Sequence, residues 1–353
     1  MNIYIHIPFC HSKCAYCAFL SHCDITKEDE YVKVLCKEIE DYKLKIEDSV
    51  KTIYFGGGTP SLIKPENITK IIETLESKAK FAKVVEITLE CNPEDITEEK
   101  LRKWKDAGIN RLSIGIQTFD DNVRKTVGRT LATNEAIQRV ELAQRYFKNV
   151  GIDLISGLPG ESSSSLEKHK LFLKTLSHVS LYDLETDNDS AIGKHPESFD
   201  LPKENIGAEM LVSAWDLLTK LGFEQYEISN FARDGKYCRH NLDFWQGKDY
   251  IGFGLGAASR KGSRIITNTS DFEDYLSGNY TRNEEILSPL ELKRFCLLSA
   301  VRLNQPFKKQ LLAVNGNANL LDELFELELV TNDYILTRKG KLMYNQVVNK
   351  LLQ

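Results

Sequence analysis

The 353 residues carry 46 Lys and Arg against 51 Asp and Glu, a formal net charge of −5, with 42% hydrophobic and 27% charged residues. That balance excludes the basic footprint of a nucleic-acid binder and the low hydrophobicity of a disordered chain, and no apolar run reaches the ~18 residues of a membrane-spanning helix. Met1 leads straight into Asn2-Ile-Tyr-Ile-His-Ile7 with no secretory signal, so the expectation is a cytoplasmic protein whose eight cysteines are thiols or metal ligands rather than disulfides.

Six short apolar or β-branched segments, residues 2–7, 51–55, 84–89, 111–116, 150–155 and 179–184, alternate with amphipathic stretches. Such alternation predicts βα units and a parallel sheet. Residues 28–46, with Tyr31, Val34, Leu35, Ile39 and Tyr42 at helical spacing, and residues 65–75, opening on proline, are the clearest helices. The serine run Ser162 to Ser165 reads as a loop and helix start. The polar stretch 185–202 breaks the rhythm, a helix is expected over 204–221, and the chain then reads as loop-rich to about 271. Residues 289–302 read as a capped helix and 329–338 as a short hairpin with Asn332-Asp333 at its turn. Three units follow: 1–200, an accessory region 201–285, and a small helical or winged module 286–353.

Cys10, Cys14 and Cys17 fall in one loop just past the first strand, while Cys23, Cys36, Cys91, Cys238 and Cys296 are scattered. Three closely spaced thiolates suit an iron–sulfur cluster with one iron left open. The alternative is structural zinc, with His6, His11 or Cys23 as fourth ligand, although no second ligand knuckle is present. The spacing Cys-x3-Cys-x2-Cys, with Tyr16 before the last cysteine, resembles the radical S-adenosylmethionine (SAM) superfamily. That resemblance implies an α/β fold, an incomplete parallel (β/α)6 barrel, with a [4Fe-4S] cluster on Cys10, Cys14 and Cys17. Its open iron binds the amino and carboxylate groups of SAM, and electron transfer cleaves SAM to a 5′-deoxyadenosyl radical.

Polar residues recur at the other strand ends: Phe55-Gly-Gly-Gly-Thr-Pro-Ser61, Glu90-Cys-Asn-Pro93, Gly115-Ile-Gln117, Asp153 within the fifth strand and Gly157-Leu-Pro-Gly160. Singly each reads as a cap or turn; together they suit the loop face on which parallel barrels assemble their sites. The resemblance implies that Gly57, Gly58 and Thr59 contact the SAM amino group. It implies further that Tyr4, Tyr16, Glu90, Gln117, Arg129 and Asp153 contact its adenine, ribose or carboxylate. Tyr4 read alone is a strand residue, and Arg129 a solvated helix-end charge.

Tyr4-Ile-His-Ile-Pro-Phe-Cys10, Gly56-Gly-Gly-Thr-Pro60, Asp153-Leu-Ile-Ser-Gly-Leu-Pro-Gly160 and Tyr226-Glu-Ile-Ser-Asn-Phe231 resemble the group of oxygen-independent coproporphyrinogen III oxidases and HemW haem chaperones. Phe19 stands where the oxidases carry a further cysteine, and their N-terminal extension is missing, which favours the chaperones. Arg239-His240-Asn241-Leu-Asp-Phe244-Trp245 resembles the HNxxYW motif of haem handling, which implies haem as a cofactor and His240 as its ligand; read alone, His240 is a histidine hydrogen-bonded in the core. Phe244, Leu131 and Ala258 depart from the family pattern. The resemblance implies delivery of haem to respiratory haemoproteins, an electron donor, and membrane association only through recipients. Oxidative decarboxylation of coproporphyrinogen III and a zinc-stabilised binding module are the alternatives.

Overall fold

The structure, a computed structural model, describes residues 1–42, 49–162, 164–315 and 319–352. Strands β1 (Asn2–Ile7), β2 (Ser49–Gly57), β3 (Lys80–Cys91), β4 (Arg111–Gln117), β5 (Val150–Ser156) and β6 (His178–Asp183) lie side by side, each parallel to the next. These are the six segments expected from the sequence, differing only at their ends. Pleat alternation divides their residues. In β1 the side chains of Ile3, Ile5 and Ile7 are fully buried in the main hydrophobic core. Tyr4 and His6, between them, face the lumen.

Helices follow most of these strands. Helix Glu28–Asp41 buries Tyr31, Val32, Leu35 and Ile39, and helix Pro65–Lys78 buries Ile68, Ile71, Ile72 and Leu75. The first ends at Asp41, and Tyr42 is already extended; residues 43–46 of the expected helix lie outside the described residues. Thr97 and Asp120 cap the helices Glu98–Asp106 and Asp121–Thr126.

The sheet grows at both edges, in the order β12-β11-β10-β9-β1-β2-β3-β4-β5-β6-β8-β7. Next to β1 lies β9 (Tyr250–Phe253), parallel to it, then antiparallel β10 (Ala258–Lys261), β11 (Arg264–Asn268) and β12 (Thr281–Ile286). Beyond β6 run antiparallel β8 (Asn230–Ala232) and β7 (Glu224–Gln225). The sheet is therefore open rather than a closed barrel. The stretch expected to be loop-rich contributes five short strands, β7 to β11, and the helix Arg239–Trp245, joined by loops.

Helix Pro289–Arg302 begins with a capping box between Ser288 and Glu291. The hairpin expected over 329–338 reduces to a single bridge, Val330 to Leu336, with Tyr334 left-handed at φ 59°. Leu297, Val301, Phe307, Leu324, Val347 and Leu351 form a second core in this part of the chain. It is joined to the sheet side by a bridge between Glu227 and Leu303 and by the bond from Ile228 N to Arg302 O at 3.1 Å. Among the described residues no helix is long and apolar enough to cross a membrane.

Candidate functional site

The cysteine loop leaves β1 and is closed at its neck, where Cys10 N donates to His22 O (3.1 Å) and His22 N to Pro8 O (2.7 Å). Its tip is pinned from two distant segments: Ala15 N donates to Val127 O (3.1 Å), and Ile192 N to Ala15 O (2.9 Å). Tyr16 packs with Val123, Val127 and Leu158. Gly58 N and Thr59 N bond to Ile7 O and Phe9 O at 2.8 and 2.7 Å, so the β2 loop runs directly against the cysteine loop. A Cβ on Gly58 would lie 2.7 Å from the Pro8 carbonyl, and one on Gly57 (φ 109°) 2.6 Å from the His6 ring. Both glycines are needed for packing within the chain, a requirement the glycine run alone did not disclose.

Burial pushes the Cys10 thiol up, opposed by its 3.4 Å contact with Thr59 Oγ1 and assisted by negative charge on Cys17, Cys14 and Cys23. Burial raises Cys17 too, against a backbone donor at Phe19. Thiols this close resist ionising together, and a cationic iron centre reverses that preference. Among the described residues no three His, Cys, Asp or Glu side chains are gathered round a point where one ion could sit.

Beside this loop a chain of polar contacts links four strand ends. Arg129 donates from Nε (3.2 Å) and Nη2 (2.9 Å) to the Tyr16 hydroxyl and from Nη1 to Asn92 Oδ1 (2.6 Å). Asn92 Nδ2 donates to Thr59 Oγ1 (3.3 Å), the oxygen that meets Cys10. Arg129 is buried, not a solvated helix-end charge. Gln117 sits at a bulge with φ 66°, a strained conformation for a non-glycine residue. A Cβ on Gly115 would stand 2.6 Å from Gln117 Nε2 and 3.1 Å from Arg129 Nη2, so both side chains cross that glycine.

Deeper in the lumen, Tyr54 donates to Glu90 Oε1 at 2.7 Å and stacks on Tyr4, ring centroids 6.3 Å apart. Burial pushes the Glu90 carboxyl up to about 7, with Tyr54 opposing and Asp153 adding to the rise. Burial also raises Asp153, against hydrogen bonds from Ser180 and Ser113. His6 Nε2 donates to Leu20 O (3.1 Å), so its Nδ1 accepts from the Tyr4 hydroxyl (3.3 Å); burial holds the ring neutral, its pKa down to about 4. Tyr54 had no sequence reading as a site residue; Asn92 entered only within Glu90-Cys-Asn-Pro93, and His6 only as a possible fourth zinc ligand.

His240 stands elsewhere, at the strands' N-terminal end, opposite the cysteines. It opens helix Arg239–Trp245, whose first amides at Arg239 and His240 donate to the Glu86 carboxylate (3.1 and 3.0 Å). Thr52 gives its hydroxyl hydrogen to Asn2 Oδ1, so His240 Nδ1 donates to Thr52 Oγ1 (2.8 Å). The ring is buried against Tyr54, centroids 5.1 Å apart, and burial lowers its pKa to about 4. As it stands, His240 is a histidine hydrogen-bonded within the core. Phe244 packs on Trp245 and Tyr250, Leu131 against the main core, and Ala258 lies in β10 opposite Thr267.

Comparison with known proteins defines the class first: the family model described as the radical SAM superfamily matches residues 4–173. The chain is 31% identical, over its whole length and 98% of the relative's, to the heme chaperone HemW of Buchnera aphidicola subsp. Schizaphis graminum. It is likewise 31% identical, over its whole length and 98% of the relative, to the HemW of Escherichia coli. This chain belongs to the HemW family of the radical SAM superfamily. A mitochondrial radical S-adenosyl methionine domain-containing protein 1 of Danio rerio is 32% identical over 88% of this chain and 74% of its own. The fold is that of the coproporphyrinogen III oxidase HemN from Escherichia coli, with a TM-score of 0.85 at 24% identity, covering 99% of this chain and 89% of that one. Superfamily membership implies a [4Fe-4S] cluster and SAM.

Proposed function

We propose that this chain is a cytoplasmic haem chaperone that carries a [4Fe-4S] cluster on Cys10, Cys14 and Cys17, binds SAM beside it, and passes haem to respiratory haemoproteins. Tyr16, Gly57, Gly58, Thr59, Gln117 and Arg129 line the cluster side of the SAM site, with Tyr4, Glu90 and Asp153 deeper in the lumen. The observation that carries this reading is the contact chain Cys10–Thr59–Asn92–Arg129–Tyr16, which ties the cysteine loop to the ends of β2, β3 and β4. A guanidinium fork fits the SAM carboxylate, and buried carboxylates accept from ribose hydroxyls. When bound, the cluster and SAM supply one-electron chemistry; the chain's part is to bind, orient and exclude water. Haem enters through the names of the full-length relatives, and Phe19, 69% exposed where oxidases carry a cysteine, favours the chaperone over the oxidase.

Anaerobic reconstitution tests both halves. The wild type is expected to turn brown, Cys14→Ala to stay colourless, and haem-loaded protein to transfer haem to an apo-haemoprotein. Conversion of coproporphyrinogen III to protoporphyrinogen IX by the same preparation would overturn the chaperone reading. A colourless wild type would remove the cluster.

A further inference from the structure

The lumen face of β2 presents Thr52, Tyr54 and Gly56 in succession, two residues apart and therefore on one side of the sheet. Tyr54 has no freedom there. One face lies along Tyr4, with centroids 6.3 Å apart and planes 22° from parallel; another side lies against the His240 ring at 5.1 Å. His240 is itself held by Thr52 and by the Glu86 carboxylate at the start of its helix. Above Tyr54, a Cβ on Gly56 would stand 3.1 Å from the Tyr54 ring, 3.0 Å from Tyr4 and 3.2 Å from Glu90 Oε1, so all three groups close over that glycine. The tyrosine hydroxyl can then point only where it does, at Glu90 Oε1, 2.7 Å away. Glu90 also accepts from the Gly57 amide.

We propose that Tyr54 is a positioning residue for SAM, acting through Glu90, with helix Arg239–Trp245 and its His240 as the buttress that fixes the tyrosine ring. This rests on the radical SAM reading of the lumen and gives the Arg239–Trp245 motif a part in it that does not require iron. A carboxylate with only backbone support in a buried lumen can rotate or take up a proton; a hydroxyl donor on one oxygen fixes its orientation, favours the ionised form against burial, and leaves the other oxygen able to accept from a ligand. The groups that face Glu90 are Tyr4, Tyr54, Arg111, Asp153 and Tyr182, from β1, β2, β4, β5 and β6. Among the described residues, Tyr54 is the one that donates a side-chain hydrogen bond to it.

SAM binding to the anaerobically reconstituted full chain, measured between pH 6 and 9 for wild type, Tyr54→Phe, Glu90→Gln and the double variant, tests the proposal. Tyr54→Phe is expected to keep its cluster absorbance, to bind SAM roughly 10-fold more weakly at neutral pH, and to move the acid limb of binding to higher pH, because the lost donor favoured the ionised carboxyl. Glu90→Gln is expected to flatten that limb, and in its background Tyr54→Phe should cost little more, since the tyrosine then has no carboxylate to hold. Unchanged affinity and limb in Tyr54→Phe, or additive losses in the double variant, would overturn it; if Tyr54→Phe misfolds, the limb of Glu90→Gln decides, and a limb no flatter than wild type counts against it. A wild type that holds its cluster yet binds no SAM brings down the radical SAM reading and this inference together, whereas SAM binding indifferent to Tyr54 removes this inference alone.

Discussion

Asn92 Oδ1 accepts from Arg129 Nη1 at 2.6 Å, and the same asparagine donates to Thr59 at 3.3 Å, so one amide holds a buried guanidinium and the hydroxyl that touches Cys10. Hydrogen bonds to charged groups are worth about 1.5–3 kcal/mol, roughly 10- to 100-fold in an equilibrium. Asn92→Ala is therefore expected to weaken SAM binding by about 10-fold or more while leaving the iron content intact. Anaerobic calorimetry with SAM checks this; wild-type affinity in the variant would show that Arg129 needs no help from β3.

His240 packs under Tyr54 and bonds to Thr52 with Nδ1. His240→Ala removes a buried ring and leaves the Thr52 oxygen one donor short, a loss of about 2–4 kcal/mol. The expected outcome is a thermal midpoint lowered by several degrees with the haem titration of the folded variant unchanged. Loss of the Soret shift in a variant that still folds would instead make His240 a haem ligand.

Much of this architecture was legible because it depends on local pattern. The β-branched runs at β1, β4, β5 and β6 declare strands, and Pro65 and Ser288 mark helix starts. Cys10, Cys14 and Cys17 could be read because three ligands share one loop. What escaped were relations across the chain: Asn92 meets Arg129 37 residues away, and Tyr54 meets Glu90 36 residues away, pairings that no periodicity encodes. Gly57 and Gly58 invited a ligand explanation, yet the His6 ring and the Pro8 carbonyl already demand them. The short flanking strands β7, β8 and β10 carry too few residues for alternation to show.

Arg302 joins the second core to the sheet side. Its guanidinium lies 4.4 Å over Trp245 and 5.5 Å over Tyr344, and its Nη2 reaches Ser229 Oγ (3.2 Å) and the fully buried Glu227 (3.4 Å). Removing one partner of a buried pair strands the other charge, at a cost of about 3–5 kcal/mol. Arg302→Ala should lower the unfolding midpoint and make the segment near residue 286 sensitive to limited proteolysis. Adding Glu227→Gln should restore part of the loss; if the double variant is no better than the single, the stranded charge is not the cause.

Glu38 accepts from the Tyr275 hydroxyl (2.6 Å), Asn268 Nδ2 (2.6 Å) and Gly254 N (3.0 Å), binding helix Glu28–Asp41 to the β9–β11 edge, yet burial still pushes its carboxyl up from 4.5 to about 7. Between those values the folded chain holds more protons at Glu38 than the unfolded chain, so this group's stability contribution falls as pH rises through the interval. His240 acts with the opposite sign. Its pKa drops from 6.5 to about 4 on folding, so its contribution is complete above 6.5 and is lost as pH falls toward 4. From 4.5 to 6.5 the two oppose each other. Glu38→Gln deletes the falling component, and the stability of the variant should climb with pH more steeply than that of wild type, by up to ~1.4 kcal/mol per pH unit for one proton. Urea unfolding of the apoprotein at pH 5, 5.5, 6 and 6.5 measures both slopes, and the loss of one acceptor oxygen in the variant changes only their offset. A variant slope equal to or shallower than wild type would mean that Glu38 is ionised throughout this range, its three donors outweighing burial.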